Sequence, residues 1–191
     1  NGNDSNPNTG GIGTDGADFS ATTQIAYAPE NWGIAAAYTK ASGINEKLYI
    51  GNANPDGVAI SGMGSQTNSW GLSAWWTPEE SGWIPSVSTG VGMTYADAPG
   101  DDEESASWYV GLEWSDAFIE GNSLGMAVGQ PTFDTDADRG AGYAWEFFYK
   151  FQVTDNISVT PAIHYLSKPF PTQDSDGMNA LSGLIKTQFK F

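Results

Sequence analysis

Hydrophobic and polar residues alternate with a period of two along much of this chain, most clearly in residues 140–153. Trp145 and Phe147 belong to one set of alternate positions, whereas Glu146 and Lys150 belong to the other. This period is typical of a β-strand with one apolar and one polar face. Because the apolar face is aromatic and the polar face is charged, the strand either covers a dry core or separates lipid from water.

The same alternation predicts nine strands. They comprise residues 17–28, 32–40, 66–77, 83–95, 105–115, 123–130, 140–153, 157–166 and 179–191. Connections are short after odd-numbered strands and long after even-numbered ones, as in an up-and-down barrel with short periplasmic turns and long outer loops. The predicted fold is therefore all-β, a transmembrane antiparallel up-and-down β-barrel. Pro161 falls within a predicted strand and lacks an N–H group, so we expect a bulge or local break there.

Aromatic residues on the apolar face fall near the two ends of the predicted strands. Between these ends the same face carries Leu, Ile, Val and Ala without a charge, which predicts a lipid belt between two aromatic girdles. A soluble core with aromatic residues near the strand ends is the alternative. The predicted girdle residues are Tyr27, Trp32, Trp70, Trp76, Trp83, Trp108, Trp114, Tyr143, Phe151, Phe189 and Phe191.

The odd number of strands predicts an incomplete barrel, because bacterial single-chain barrels have even numbers. Residues 1–16 have the composition of an outer loop and show no secretory signal, and residues 17–191 hold the strands. We therefore expect residues 1–191 to be the C-terminal part of a barrel domain. Its expected partners are the remaining strands of the same barrel, the outer-membrane lipid and further copies in a homo-oligomer.

Composition excludes several classes of protein. The formal net charge of −16 would repel a phosphate backbone, so no nucleic-acid partner is expected. Without cysteine there is neither a disulfide nor a cysteine metal site. No apolar run approaches the ~20 residues of a transmembrane helix. No cofactor is predicted.

Several motifs in the last third of the chain resemble those of a known family. They are GNSLG at 121–125, EFFYKF at 146–151, VTDNISVTP at 153–161 and GLIKTQFKF at 183–191. These motifs resemble the cyanobacterial outer-membrane porins, which are similar to the carbohydrate-selective (OprB-type) porins. The resemblance implies a barrel of about sixteen strands in the outer membrane of a Gram-negative-type, cyanobacterial cell. Such proteins typically also carry a surface-layer-homology domain and a coiled coil, and neither is matched here. The motifs do not identify sugar-binding positions.

The candidate functional residues lie on the polar face and in the predicted outer loops, because lumen and loop charges determine what a pore admits. The pore-lining candidates are Gln24, Lys40, Glu113, Glu146, Lys150, His164, Lys186 and Lys190. The acidic loop residues are Asp101, Asp102, Glu103, Glu104, Asp134, Asp136, Asp138, Asp174 and Asp176. These acids either concentrate cations at the pore mouth or are simply solvated. The aspartates at 134–138 lack the glycine and distal glutamate of a calcium loop, and His164 has no companion ligand, so no metal site is predicted.

The leading hypothesis is a porin for passive diffusion of small hydrophilic solutes, mainly inorganic ions including metal cations. A carbohydrate-selective porin is the alternative. Other classes are an outer-membrane barrel enzyme, although no Ser-His-acid motif emerges around His164, and a soluble sugar-binding β-sandwich. The chain is not predicted to be an enzyme. Phe191 ends an alternating aromatic strand, which predicts recognition by the outer-membrane assembly machinery.

Overall fold

The computed structural model describes residues 19–43, 65–80, 82–98, 101–135, 142–168 and 178–190. The strands are β1 (Phe19–Tyr27), β2 (Trp32–Gly43), β3 (Ser65–Trp76), β4 (Ser86–Ala98), β5 (Asp101–Ser115), β6 (Ser123–Asp134), β7 (Ala144–Thr154), β8 (Ile157–Ser167) and β9 (Asn179–Phe189). Within these ranges no helix is long and apolar enough to cross a membrane.

All nine strands form one antiparallel sheet in which each strand pairs with its neighbours in sequence. This arrangement confirms the predicted all-β, up-and-down topology. The sheet is not closed, because β1 pairs only with β2, and β9 only with β8. It is also a single layer: among the described residues Ala41 and Ala162 are the only buried hydrophobic side chains. A β-sandwich would need a second sheet packed against the first, so the sandwich alternative is wrong for these residues.

The β4–β5 hairpin is longer than the sequence pattern predicts. Asp101, Asp102, Glu103 and Glu104 belong to β5 rather than to a loop, and only residues 99–100 separate the two strands. The register runs from Ser86–Glu113 to Ala98–Asp101 without a shift. An antiparallel ladder consists of backbone hydrogen bonds, so it can continue past the apolar segment into acidic residues. The predicted alternation of short and long connections therefore fails at this hairpin.

The start of β4 also differs from the prediction. Trp83 lies in the β3–β4 turn and not in the strand, which begins at Ser86. Pro85 has no N–H group to donate to a ladder, which explains the later start. Trp83 is 97% exposed, and its carbonyl oxygen accepts a hydrogen bond of 3.0 Å from Nε1 of Trp114.

Pro161 interrupts pairing without shifting the register. The pairs between β7 and β8 pass from Phe148–Ala162 to Phe151–Val159, and the register shift lies between Gln152 and Thr154 instead. The predicted local break is thus present on the β7 side, whereas Pro161 pairs with Ile185 of β9. The expected bulge or local break at Pro161 is therefore a local break in the pairing with β7, without a bulge.

The β5–β6 turn is held by a buried asparagine. Asn122 donates from Nδ2 to the hydroxyl of Tyr149 at 3.0 Å, and its Oδ1 accepts from the backbone N–H of Gln152 at 2.9 Å. The Tyr149 hydroxyl in turn donates to the carbonyl of Ala117 at 2.6 Å. Phe118 in the same turn is 89% exposed. Its φ of 66° lies in the left-handed region, which is unusual for a bulky residue.

The register divides the sheet into two faces. We call the face that includes Trp145 the apolar face and the face that includes Glu146 the polar face. Rings on the apolar face contact one another near both ends of the strands, in the pairs Tyr27–Trp32, Tyr149–Phe151, Tyr38–Trp70 and Trp108–Tyr143. Two ring clusters separated by aliphatic residues match the geometry expected of interfacial girdles. Phe191 lies outside the described residues, so its assembly role stays a prediction.

Candidate functional site

Most of the predicted pore-lining residues share the polar face. Register places Gln24, Glu113, Glu146, Lys150, His164 and Lys186 there, and Lys190 follows β9 in the same alternation. Lys40 does not belong to this group. It lies opposite Ala21 and Asn68, on the face of Tyr38, because two residues along a strand return to the same side. The prediction that Lys40 lines the pore is therefore wrong.

The polar face is concave and mostly lined by small side chains. A concavity of about 780 Å³ is bounded by backbone and side chains of β1 to β9. Its glycine, alanine and serine residues include Ala37, Gly71, Gly92, Ser107 and Ala127. Volumes of 300–1,000 Å³ suit small organic ligands. The few larger polar side chains on this wall therefore decide which solute it contacts.

Glu146 and His164 are in contact on this wall. Nδ1 of His164 lies 3.7 Å from Oε2 of Glu146, and both side chains are partly exposed. The register places them directly opposite each other on β7 and β8. Ser182 of β9 lies opposite His164 in the same row, so a serine, a histidine and an acid do meet on one face. No hydrogen bond between described residues joins Ser182 to His164, and the nucleophile–base contact of a hydrolase is therefore not formed.

Two lysines lie further along the same wall, towards the turn that joins β7 to β8. Lys150 lies opposite Ser123, and Lys186 lies opposite Thr160. Neither lysine makes an ion pair with another described residue. The charged side chains of this wall are thus one Glu146–His164 contact and two separate lysines. One wall consequently presents an acid near one end and positive charge near the other.

Three aromatic side chains on the polar face were not among the predicted site residues. Trp75, Tyr109 and Phe148 lie on β3, β5 and β7, and each covers a glycine of the preceding strand. A Cβ at Gly33 would lie 2.5 Å from Nε1 of Trp75, and one at Gly90 would lie 2.6 Å from Cε1 of Tyr109; Phe148 occupies the corresponding place at Gly125. Aromatic rings that cover cross-strand glycines are a known way to complete a sheet surface. The signal that could have identified these three residues is that each aromatic residue pairs with a glycine, which becomes visible only after the strands are paired.

The acidic residues do not assemble into a metal site in the described ranges. Glu104 shares the apolar-face parity of Trp108, and its Oε2 accepts a hydrogen bond of 3.5 Å from Thr135 Oγ1. Asp134 ends β6 opposite Ser105. Asp136, Asp138, Asp174 and Asp176 lie outside the described residues. No group of three or more potential ligands occurs in the ranges that the structure describes.

An antiparallel meander with an apolar outer face, ring clusters at both strand ends and a concave polar face is the wall of a β-barrel channel. The chain belongs to the carbohydrate-selective porin (OprB) family, whose profile matches residues 3–191. This membership confirms the recognition made from the sequence motifs. It gives no support to the hypothesis of ion or metal-cation specificity, and it fits the carbohydrate alternative better.

Two relatives come from cyanobacteria. An uncharacterized protein of Nostoc sp. is 34% identical over 134 residues, which cover 66% of this chain and 22% of the relative. An uncharacterized protein of Synechocystis sp. is 28% identical over 222 residues, covering 100% of this chain and 39% of the relative. The chain therefore spans well under half the length of either relative. No solved structure matches it.

Proposed function

We propose that this chain forms part of an outer-membrane porin through which carbohydrates diffuse passively. The observation that carries the proposal is the concave polar face, whose glycine, alanine and serine residues border an open concavity of about 780 Å³. Family membership supports the same assignment. The apolar face supplies the proposed lipid contact. The family and the organisms of the two relatives support a location in the outer membrane of a cyanobacterial cell.

The mixed charge of the wall supports a neutral polar solute better than a single ion type. Glu146 and His164 are in contact, while Lys150 and Lys186 remain separate cations. A pore specific for cations would be expected to carry a ring of acids, and one for anions a ring of bases. Hydroxyl groups both donate and accept hydrogen bonds, so a sugar can use both kinds of group. The channel needs no catalytic step.

The open edges of the sheet require partners. In a bilayer every backbone N–H and C=O must be paired, so an exposed sheet edge is not tolerated. We propose that further strands of the same barrel pair with β1 and β9. The whole of β9 is exposed, as an edge awaiting a neighbour would be.

Liposome swelling tests the proposed function. The complete protein would be reconstituted into vesicles and transferred into isosmotic glucose, maltose, potassium chloride or glycine. We expect swelling in glucose, slower swelling in maltose, and none in empty vesicles. Swelling in potassium chloride with exclusion of both sugars would overturn the carbohydrate assignment in favour of an ion channel.

A further inference from the structure

Lys40 is a cation on the apolar face, near one end of the sheet. The other lysines of the strand pattern share the polar face, namely Lys150, Lys186 and Lys190. Lys40 lies two residues beyond Tyr38, whose ring contacts that of Trp70. At ~3.3 Å per residue and a strand tilt of ~40°, it lies roughly 5 Å further along the barrel axis than this ring pair. The long connection after β2 makes this the outer end of the proposed porin, so Lys40 is at the level of the lipid headgroups.

The neighbours of Lys40 in the same row offer hydrogen-bond donors. Asn68 lies opposite Lys40 on β3, and Tyr95 lies opposite Asn68 on β4. The hydroxyl of Tyr38 donates to Oδ1 of Asn68 at 2.7 Å, so the Nδ2 group of that amide stays available. Neither the Lys40 ammonium nor the Tyr95 hydroxyl makes a hydrogen bond or ion pair with a described residue. An ammonium, an amide NH₂ and a hydroxyl in one row suit an oxyanion.

The same kind of tyrosine–asparagine contact recurs at this end of the sheet. The hydroxyl of Tyr165 donates to Oδ1 of Asn179 at 2.7 Å, and Asn179 lies opposite Ser167, two residues beyond Tyr165. The position that corresponds to Lys40 is therefore a serine. The hydroxyl of Ser167 accepts a hydrogen bond of 2.8 Å from the backbone N–H of Tyr143. This second contact thus has the oriented amide without a cation opposite, and it serves as an internal comparison.

The row becomes acidic on the side away from Lys40. Glu104 lies opposite Tyr95, and its Oε2 accepts a hydrogen bond of 3.5 Å from Oγ1 of Thr135. Strands lie ~4.8 Å apart, so Glu104 is roughly 10 Å from Asn68 across the sheet. On the other side Lys40 lies opposite Ala21, which adds no charge. An anion is therefore favoured between Lys40 and Asn68.

We propose that Lys40, Asn68 and Tyr95 bind the oxyanion of an acidic lipid headgroup in the outer leaflet. The ammonium supplies the charge, and the amide NH₂ and the hydroxyl donate hydrogen bonds to the remaining oxygens. A lipid fits better than a free anion because the row lies directly above Trp70, which is 56% exposed and can line the acyl chains. The inference goes beyond the proposed function: it uses the lipid contact of the apolar face but not the identity of the solute.

Two aspartate substitutions form a matched pair. Asn68→Asp replaces the available NH₂ group with a carboxylate oxygen but keeps an acceptor for Tyr38. Asn179→Asp makes the same change at the same end of the sheet, where no lysine lies opposite. Lys40→Gln removes the charge, and Lys40→Arg keeps it. Lys186→Gln removes one positive charge from the polar face.

The measurement is native mass spectrometry of the complete protein in detergent, titrated with phosphatidylglycerol or phosphatidylcholine. We expect the wild type to prefer phosphatidylglycerol about fivefold, the equivalent of about 1 kcal/mol for one lysine near an anionic surface. Lys40→Gln should abolish this preference, whereas Lys40→Arg should keep it. Asn68→Asp should weaken phosphatidylglycerol binding about tenfold, because it exchanges a donor for a like charge. Asn179→Asp and Lys186→Gln should leave it unchanged.

Several results would overturn the site. Equal losses in Asn68→Asp and Asn179→Asp, or in Lys40→Gln and Lys186→Gln, would mean that only net charge matters. A wild type without preference for phosphatidylglycerol would also refute it, and displacement of the lipid by equimolar inorganic phosphate would refute the lipid as ligand. Resistance of the folded band to heating checks assembly, and if Asn68→Asp fails to assemble, Lys40→Gln against Lys40→Arg still decides.

The site and the proposed function fail separately. Loss of the headgroup site leaves vesicle swelling in glucose unaffected. Conversely, a protein that binds phosphatidylglycerol as expected but admits no sugar would overturn the carbohydrate assignment and leave the headgroup site standing.

Discussion

Val128 and Ala127 are adjacent residues of β6 that point to opposite faces, so they test directly which face meets lipid. Val128 lies opposite Val110 on the apolar face, whereas Ala127 lies opposite Gly111 and Glu146 on the polar face. Arginine near the bilayer midplane costs about 2–4 kcal/mol. We expect Val128→Arg to lower the free energy of unfolding by that amount, and Ala127→Arg to lower it by less than about 1 kcal/mol.

The size of this effect follows from the depth of Val128. Leu124 lies between Trp114 and Tyr149, in the ring cluster that includes Phe151, and Val128 follows four residues later on the same face. Four residues at ~3.3 Å each, on strands tilted by ~40°, place Val128 roughly 10 Å above that cluster and close to the centre of a ~25 Å apolar band. An arginine at Ala127 would instead extend into the lumen beside the carboxylate of Glu146.

Urea unfolding of the complete protein in lipid vesicles, followed by tryptophan fluorescence, provides the measurement. Val128→Ala serves as the control for lost packing, and its cost is subtracted from that of Val128→Arg. The reasoning is refuted if the two arginine variants are equally stable, or if Ala127→Arg is the less stable one. Either result would mean that the apolar face is not the lipid-facing side.

Three further outcomes are expected. Glu146→Gln should lower the cation preference about twofold, and Lys150→Gln should raise it similarly, because a unit charge ~8 Å away contributes about 0.5 kcal/mol in water. The preference is measured from reversal potentials in a potassium chloride gradient, and shifts of both variants in the same direction would contradict this expectation. Asn122→Ala should cost about 1–3 kcal/mol of unfolding free energy, since it removes two hydrogen bonds made by a buried side chain. Asn31→Ala, which removes an exposed hydrogen bond to Glu79, should cost less than about 1 kcal/mol; equal costs in urea unfolding would count against the role of Asn122. The isolated 191-residue chain should associate with at least one other copy in detergent, because two sheet edges are open; a heat-resistant monomer by light scattering would contradict this expectation.

The strands were predictable because lipid-facing positions obey one rule, namely that every second residue is apolar. Residues 157–166 were predicted as a strand and β8 spans Ile157–Ser167, since its apolar alternation continues to the end. The rule fails where the chain leaves the apolar band. The acids at 101–104 signal a turn by composition, yet they continue the β4–β5 ladder, because backbone hydrogen bonds do not depend on side-chain polarity. Lys40 was misplaced although its parity with Tyr38 was readable from the sequence.

The site was less predictable because its contacts cross between strands. Glu146 and His164 were both candidates from the sequence, but only the register places them opposite each other. Tyr109 looks like an irregularity within its strand, since an aromatic residue falls among serine and glycine on the polar face. Its fit depends on Gly90, which precedes it by nineteen positions. The alternation of residues along a single strand cannot reveal a contact between residues of two strands.

The two faces therefore require different reasoning. Within the membrane, lipid requires the positions on the apolar face to be apolar, so a repeated pattern reveals that face and single residues there say little. Water imposes no such requirement on the polar face, where small residues leave the interior of a barrel open. A large or charged side chain on the polar face reduces the space for solute, so each one needs a local reason. For Phe148 the glycine beneath it is a sufficient reason. Tyr109 covers a glycine as well, but its hydroxyl makes no hydrogen bond to another described residue, so covering a glycine does not by itself account for the choice of tyrosine.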